Sequence, residues 1–94
     1  MPDVEPIGGV TGWMRAARIA EEVKIPVSLH LFPEFSSHLL AATPTAHWLE
    51  FTDWSVPLLE NPVTVTDGHV YVSDAPGAGI AWNEDAVEKY SVAI

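Results

Sequence analysis

The alternation of helical and extended periodicity over the first fifty residues constrains most strongly what this chain can fold into. Trp13, Ala16, Ala17, Ala20 and Val23 recur at helical spacing and form one apolar stripe. Arg15, Arg18, Glu21 and Glu22 lie mostly outside it, with Arg18 and Glu22 one turn apart. Thr11 is the expected N-cap, and the helix should run to about Val23 and end before Pro26. From Pro26 to Phe32 the period changes to two. Val27, Leu29 and Leu31 then share one face of a strand, with Ser28 and His30 on the other. Pro33 opens a second helix over Glu34 to Ala42, packed through Phe35, Leu39 and Leu40 and stopped by Pro44. Ala46 to Phe51 reads as a second strand, with Ala46, Trp48 and Glu50 on one face. Loop–helix–strand–helix–strand is the order that builds a parallel sheet with crossover helices, so the fold class is α/β.

The texture changes after Thr52. Trp54 to Pro62 is an irregular connector holding two prolines. Val63–Thr66, Asp67-Gly68 and His69–Val72 form a hairpin signal, because Asp-Gly suits a type I′ turn. Pro76-Gly77-Ala78-Gly79 reads as a turn, and Asn83 should cap a last short helix with Glu84 and Asp85 near its N-terminus. Two units follow: residues 1–53, carrying the helix–strand alternation, and residues 54–94.

Charge narrows the classes of function. Thirteen acidic and four basic residues give a net charge of −9, which argues against nucleic acid or an anionic membrane as partner. No apolar run approaches the ~20 residues of a membrane span. The absence of cysteine excludes a disulfide framework and a thiolate metal site, and makes a cytoplasmic location the expectation.

Three ionisable residues fall at equivalent places in the alternation. Asp3 precedes the first helix, His30 ends one strand 27 residues later, and Glu50 ends the next after 20 more. On successive strands of one sheet, ~4.8 Å apart, such side chains can touch. An aspartate beside a histidine accepts its Nδ1–H, fixes the tautomer and readies the other nitrogen for proton transfer. Taken singly, each has a plainer reading: His30 as a buried histidine with satisfied hydrogen bonds, Asp3 as a turn residue, Glu50 as a solvated carboxylate. His38 and His47 read as structural and His69 as a surface residue. Trp13 and Trp48 read as core.

The wording of the chain supplies more than its spacing. Pro2-Asp3, Ile7-Gly8-Gly9-Val10-Thr11-Gly12, Ser28-Leu29-His30-Leu31-Phe32 and Ala41-Ala42-Thr43-Pro44-Thr45-Ala46-His47-Trp48-Leu49-Glu50 closely resemble the C-terminal part of mandelate racemase-like enzymes of the enolase superfamily. The likeness continues through Pro76-Gly77-Ala78-Gly79-Ile80 toward the end. It implies a C-terminal fragment of a (β/α)7β TIM-like barrel with about two parallel strands and their crossover helices, plus a C-terminal β-hairpin and short helix. Residues 1–53 would be barrel βα units, and residues 54–94 would return to the capping domain. It further implies abstraction of the proton α to a carboxylate, racemising or dehydrating a 2-hydroxy or sugar acid. Asp3 and His30 would form the acid/base dyad, and Glu50 would hydrogen-bond the substrate carboxylate.

The resemblance also implies what positions 1–94 lack. The family's Mg ligands and its lysine base lie on earlier strands. Lys24 ends a helix here and Lys89 lies in the tail. The expectation is therefore a chain with no metal site of its own, reading as about the last quarter of an enzyme and inactive in isolation. Two parallel strands with open edges should drive association between copies, making a homo-oligomer the expected state. The alternative is a non-catalytic fragment or assembly module that keeps the fold elements without the chemistry.

Overall fold

A computed structural model describes residues 1–93. Helix α1 spans Gly9–Glu22, strand β1 Val27–Leu29, helix α2 Pro33–Ala41 and strand β2 Ala46–Leu49. The strands pair in parallel, Val27 with Ala46 and Leu29 with Leu49, with one register irregularity between. Helix α2 is thus a crossover connection. A parallel bridge joins Asp3 to His30 on the other edge of β1, and the His30 amide donates to the Pro2 carbonyl at 3.3 Å. The N-terminal segment therefore lies where a third strand would, and carries Asp3 to the end of β1.

The start of α1 differs from expectation. Gly8 is the N-cap in a left-handed conformation (φ 93°) without a side-chain cap, and Thr11 lies inside the helix. Backbone turns from Asp3 to Gly9 feed directly into α1, which the positive φ of Gly8 and Gly9 permits. Gly12 is needed for a different reason. A methyl at its Cα would overlap the Ile7 carbonyl, so only glycine lets this turn lie against α1. At the other end, the Lys24 amide donates to the Glu21 carbonyl and the Ile25 amide to the Ala20 carbonyl. With Lys24 at φ 56°, this is a Schellman ending in which lysine takes the position usual for glycine.

The core lies between the helices and the sheet. Trp13, Ala17, Val27, Leu29, Leu39 and Leu40 are buried, and Val4, Ile7, Ala20 and Leu49 pack against them. The Trp13 indole donates to Thr43 Oγ1 at 3.1 Å, and that hydroxyl donates to the Leu39 carbonyl at 2.7 Å. Every polar atom of this buried link has a partner, as burial requires. Several residues expected inside are outside: Val23, Phe35 and Trp48 are exposed, Trp48 by 66%. Among the described residues their apolar surface is left largely open to solvent.

Beyond β2 a 3₁₀ turn at Val56–Leu58 leads to strands β3 (Val65–Thr66) and β4 (His69–Val70), paired antiparallel. Asp67 (φ 51°) and Gly68 (φ 74°) make the turn between them. Leu59 bridges Trp82, tying the segment before the hairpin to the one after it. Helix α3 (Glu84–Tyr90) begins where Asn83 Oδ1 accepts from the Ala86 amide at 3.1 Å. No helix among the described residues is long and apolar enough to cross a membrane.

Candidate functional site

Three adjacent parallel segments bring the three expected residues together. His30 Nδ1 lies 3.1 Å from Asp3 Oδ2, and His30 Nε2 lies 3.6 Å from Glu50 Oε2. Asp3 is steadied by its own turn, where Oδ1 accepts from the Glu5 amide at 3.2 Å. A carboxylate at neutral pH can only accept, so the proton between Asp3 and His30 sits on Nδ1. That leaves Nε2 as the nitrogen able to exchange a proton. Glu50 is fixed twice: its amide donates to the Leu29 carbonyl and its Oε2 accepts from the Leu31 amide, each at 3.2 Å. The 3.6 Å gap from Nε2 to Glu50 is too long for a hydrogen bond, so both groups remain open to a third.

The site is an open face. The side chains of Asp3, His30 and Glu50 are 25%, 43% and 41% exposed, so water reaches each polar group. Charge–charge and hydrogen-bond terms that act strongly in a closed site are weakened here by solvent. The remaining three histidines are elsewhere: His38 lies in α2, His47 stacks obliquely on Trp48, and His69 is on the exposed hairpin, its Nδ1 2.9 Å from the Asp67 carbonyl.

The sequence reading did not find what shapes the turn. Leu31 (φ 58°) and Phe32 (φ 49°) are both left-handed, and Ser36, fully buried, donates to the Leu31 carbonyl at 2.6 Å. Alternation assigned Leu31 to the strand, whereas β1 ends at Leu29. A strand followed within three residues by a helix carried the one available signal that a sharp reversal was required.

Parallel strands joined by a helix, with ionisable side chains gathered at the strand ends, define an α/β protein of the kind that places its chemistry at that rim. The chain belongs to the enolase C-terminal domain-like family, which matches residues 1–86. It is 36% identical over 99 residues to D-gluconate dehydratase of Thermoproteus tenax, covering 95% of this chain and 20% of the relative. A Bradyrhizobium enolase solved with magnesium and mandelic acid is 47% identical with a TM-score of 0.89, covering 99% of this chain and 26% of that one. L-Talarate dehydratase from Polaromonas, solved with Mg and L-glucarate, is 30% identical with a TM-score of 0.82, covering 94% and 25%. The chain thus spans about a fifth to a quarter of the length of the curated relatives it matches and about a quarter of the solved ones. Its neighbours are enolase-superfamily enzymes of the mandelate racemase and muconate lactonizing type.

The Bradyrhizobium and Polaromonas structures hold Mg, and the residues here do not fit it. No group of three histidine, aspartate or glutamate side chains able to hold a metal ion occurs among the described residues. At the site itself, the imidazole lies between the two carboxylates, so Asp3 and Glu50 do not converge on a common point as oxygen ligands would.

Proposed function

We propose that this chain carries one side of an active site that abstracts the proton α to a carboxylate, in racemisation or dehydration of a 2-hydroxy or sugar acid. The observation that carries the reading is the convergence of Asp3, His30 and Glu50 at the ends of adjacent parallel segments. His30 Nε2 would take or return the proton, and Asp3 would hold the tautomer and stabilise the imidazolium. Glu50 would hydrogen-bond the substrate carboxylate, which requires it to carry a proton, since two carboxylates cannot otherwise share a hydrogen bond. The sugar-acid and mandelic-acid names of the relatives support this substrate class. Residues 1–53 would serve as βα units of a (β/α)7β barrel and residues 54–94 as the segment that meets a capping domain.

The 94-residue chain alone is expected to be inactive, because its site is open to water and its lysines, Lys24 just after α1 and Lys89 in α3, are not on the segments that carry the site. The test replaces the matching quarter of the Bradyrhizobium relative with this chain and follows deuterium uptake at Cα of mandelate and of sugar acids in heavy water with Mg. Uptake by the chimaera and none by the isolated chain is expected. A folded chimaera without uptake on any of these acids would refute the catalytic reading.

A second reading is favoured by the exposed edge of β2, where Ala46, His47 and Trp48 are all uncovered. An unpaired parallel edge beside an exposed tryptophan suits association with a second copy, making the chain an assembly module. Size-exclusion chromatography at micromolar concentration is expected to give a dimer or larger species. Salt should strengthen it by screening the −9 charge on each copy. A folded monomer at both low and high salt would rule this reading out.

A further inference from the structure

We propose that Ser36 is a positioning residue for the His30–Glu50 pair, acting through the left-handed turn at Leu31–Phe32. The inference rests on the reading of His30 as the acid/base residue. Between the last residue of β1, Leu29, and the first of α2, Pro33, the chain has three residues in which to reverse. It does so with Leu31 at φ 58° and Phe32 at φ 49°, a region that residues other than glycine and asparagine rarely occupy. Such a conformation persists only where its surroundings over-determine it, and it collects at functional sites.

The over-determination is visible bond by bond. The Phe32 carbonyl accepts from the Phe35 and Ser36 amides at 3.0 and 2.8 Å, as the first turn of α2 forms. The Leu31 carbonyl accepts from the Ser36 hydroxyl at 2.6 Å, and the Leu31 amide donates to Glu50 Oε2 at 3.2 Å. Leu31 is therefore gripped at both ends, by Ser36 from the helix and by Glu50 from β2. Its amide nitrogen belongs to the same peptide unit as the His30 carbonyl. Rotating that unit would move His30 relative to Asp3 and withdraw the N–H that orients Glu50. No hydrogen bond joins Ser36 to either side chain among the described residues, yet its hydroxyl donates to the Leu31 carbonyl and the residue is fully buried.

The test reads the tautomer of His30 in the 94-residue chain by ¹⁵N–¹H correlation of the imidazole, with His30→Asn assigning the signal. The parent chain is expected in the Nδ1–H form that Asp3 selects. In Ser36→Ala the ratio of Nδ1–H to Nε2–H forms is expected to fall about tenfold, toward that of a free imidazole. Adding Phe32→Gly, which relieves one of the two left-handed positions, is expected to restore part of the ratio, because the turn then depends less on the hydroxyl. A folded Ser36→Ala chain with an unchanged tautomer would overturn the proposal, and so would a double variant that recovers none of the ratio. Should Ser36→Ala alone not fold, folding and tautomer recovery in the double variant would support the proposal, and their absence would refute it. The readout needs no turnover, so an inactive chimaera would count against the catalytic reading while leaving the role of Ser36 standing.

Discussion

His30→Asn, introduced into this chain within the Bradyrhizobium chimaera, is expected to lower Cα-deuterium uptake by ~10²–10⁴-fold, the usual contribution of a positioned acid/base group. Asparagine suits the test because it changes the chemistry more than the packing. Its amide can still donate toward Asp3 Oδ2, which the imidazole reaches at 3.1 Å. It has no nitrogen basic enough to take up a proton near neutral pH. The backbone contribution survives as well, since the His30 amide bonds to the Pro2 carbonyl regardless of side chain. Binding of a substrate analogue should therefore persist while exchange is lost, separating proton transfer from assembly of the site. Uptake within about threefold of the parent would mean that another group performs the transfer, and the dyad would be a structural hydrogen bond.

The helices and parallel strands were legible because each buries a stripe set by its own period. The residues that end them were less so, for reasons that differ from site to site. Thr11 has the right chemistry for an N-cap, but Gly8 and Gly9 allow the preceding turns to run into α1, and the helix starts earlier. Lys24 and Phe32 take left-handed positions normally given to glycine, which no local preference announces. Trp48 and Phe35 show a different limit. Periodicity identifies which face is apolar, not whether anything in the chain covers it, and both are exposed. The Asp3–His30–Glu50 grouping was legible because equivalent positions of a repeated helix–strand unit fall at one rim of a sheet. Their separations of 27 and 20 residues encode that repeat. Ser36 was not legible, because its importance lies in a turn geometry that only the folded chain displays.

Trp13→Ala is expected to abolish cooperative folding. Trp13 is fully buried at the centre of the cluster that joins α1 to β1 and α2, and truncating a buried tryptophan costs ~3–5 kcal/mol. A domain of this length has a total stability of only about 5–10 kcal/mol, and the exposed apolar residues here place it toward the lower end. The substitution also leaves Thr43 Oγ1 without its indole donor in a buried position, adding to the cavity. Its consequence reaches the site. Val4 and Ile7 pack on the same cluster, and they flank the turn that presents Asp3 to His30. Urea unfolding followed by far-ultraviolet circular dichroism is expected to show no sigmoidal transition for Trp13→Ala, and the His30 imidazole should lose its preference for Nδ1–H. Trp13→Phe separates the two contributions, because it keeps most of the ring and removes only the donor. It should fold with a loss of about 1–3 kcal/mol. A cooperative transition for Trp13→Ala with the parent midpoint would show that the stability resides outside this cluster, and that Asp3 is held in place by something other than the packing of α1.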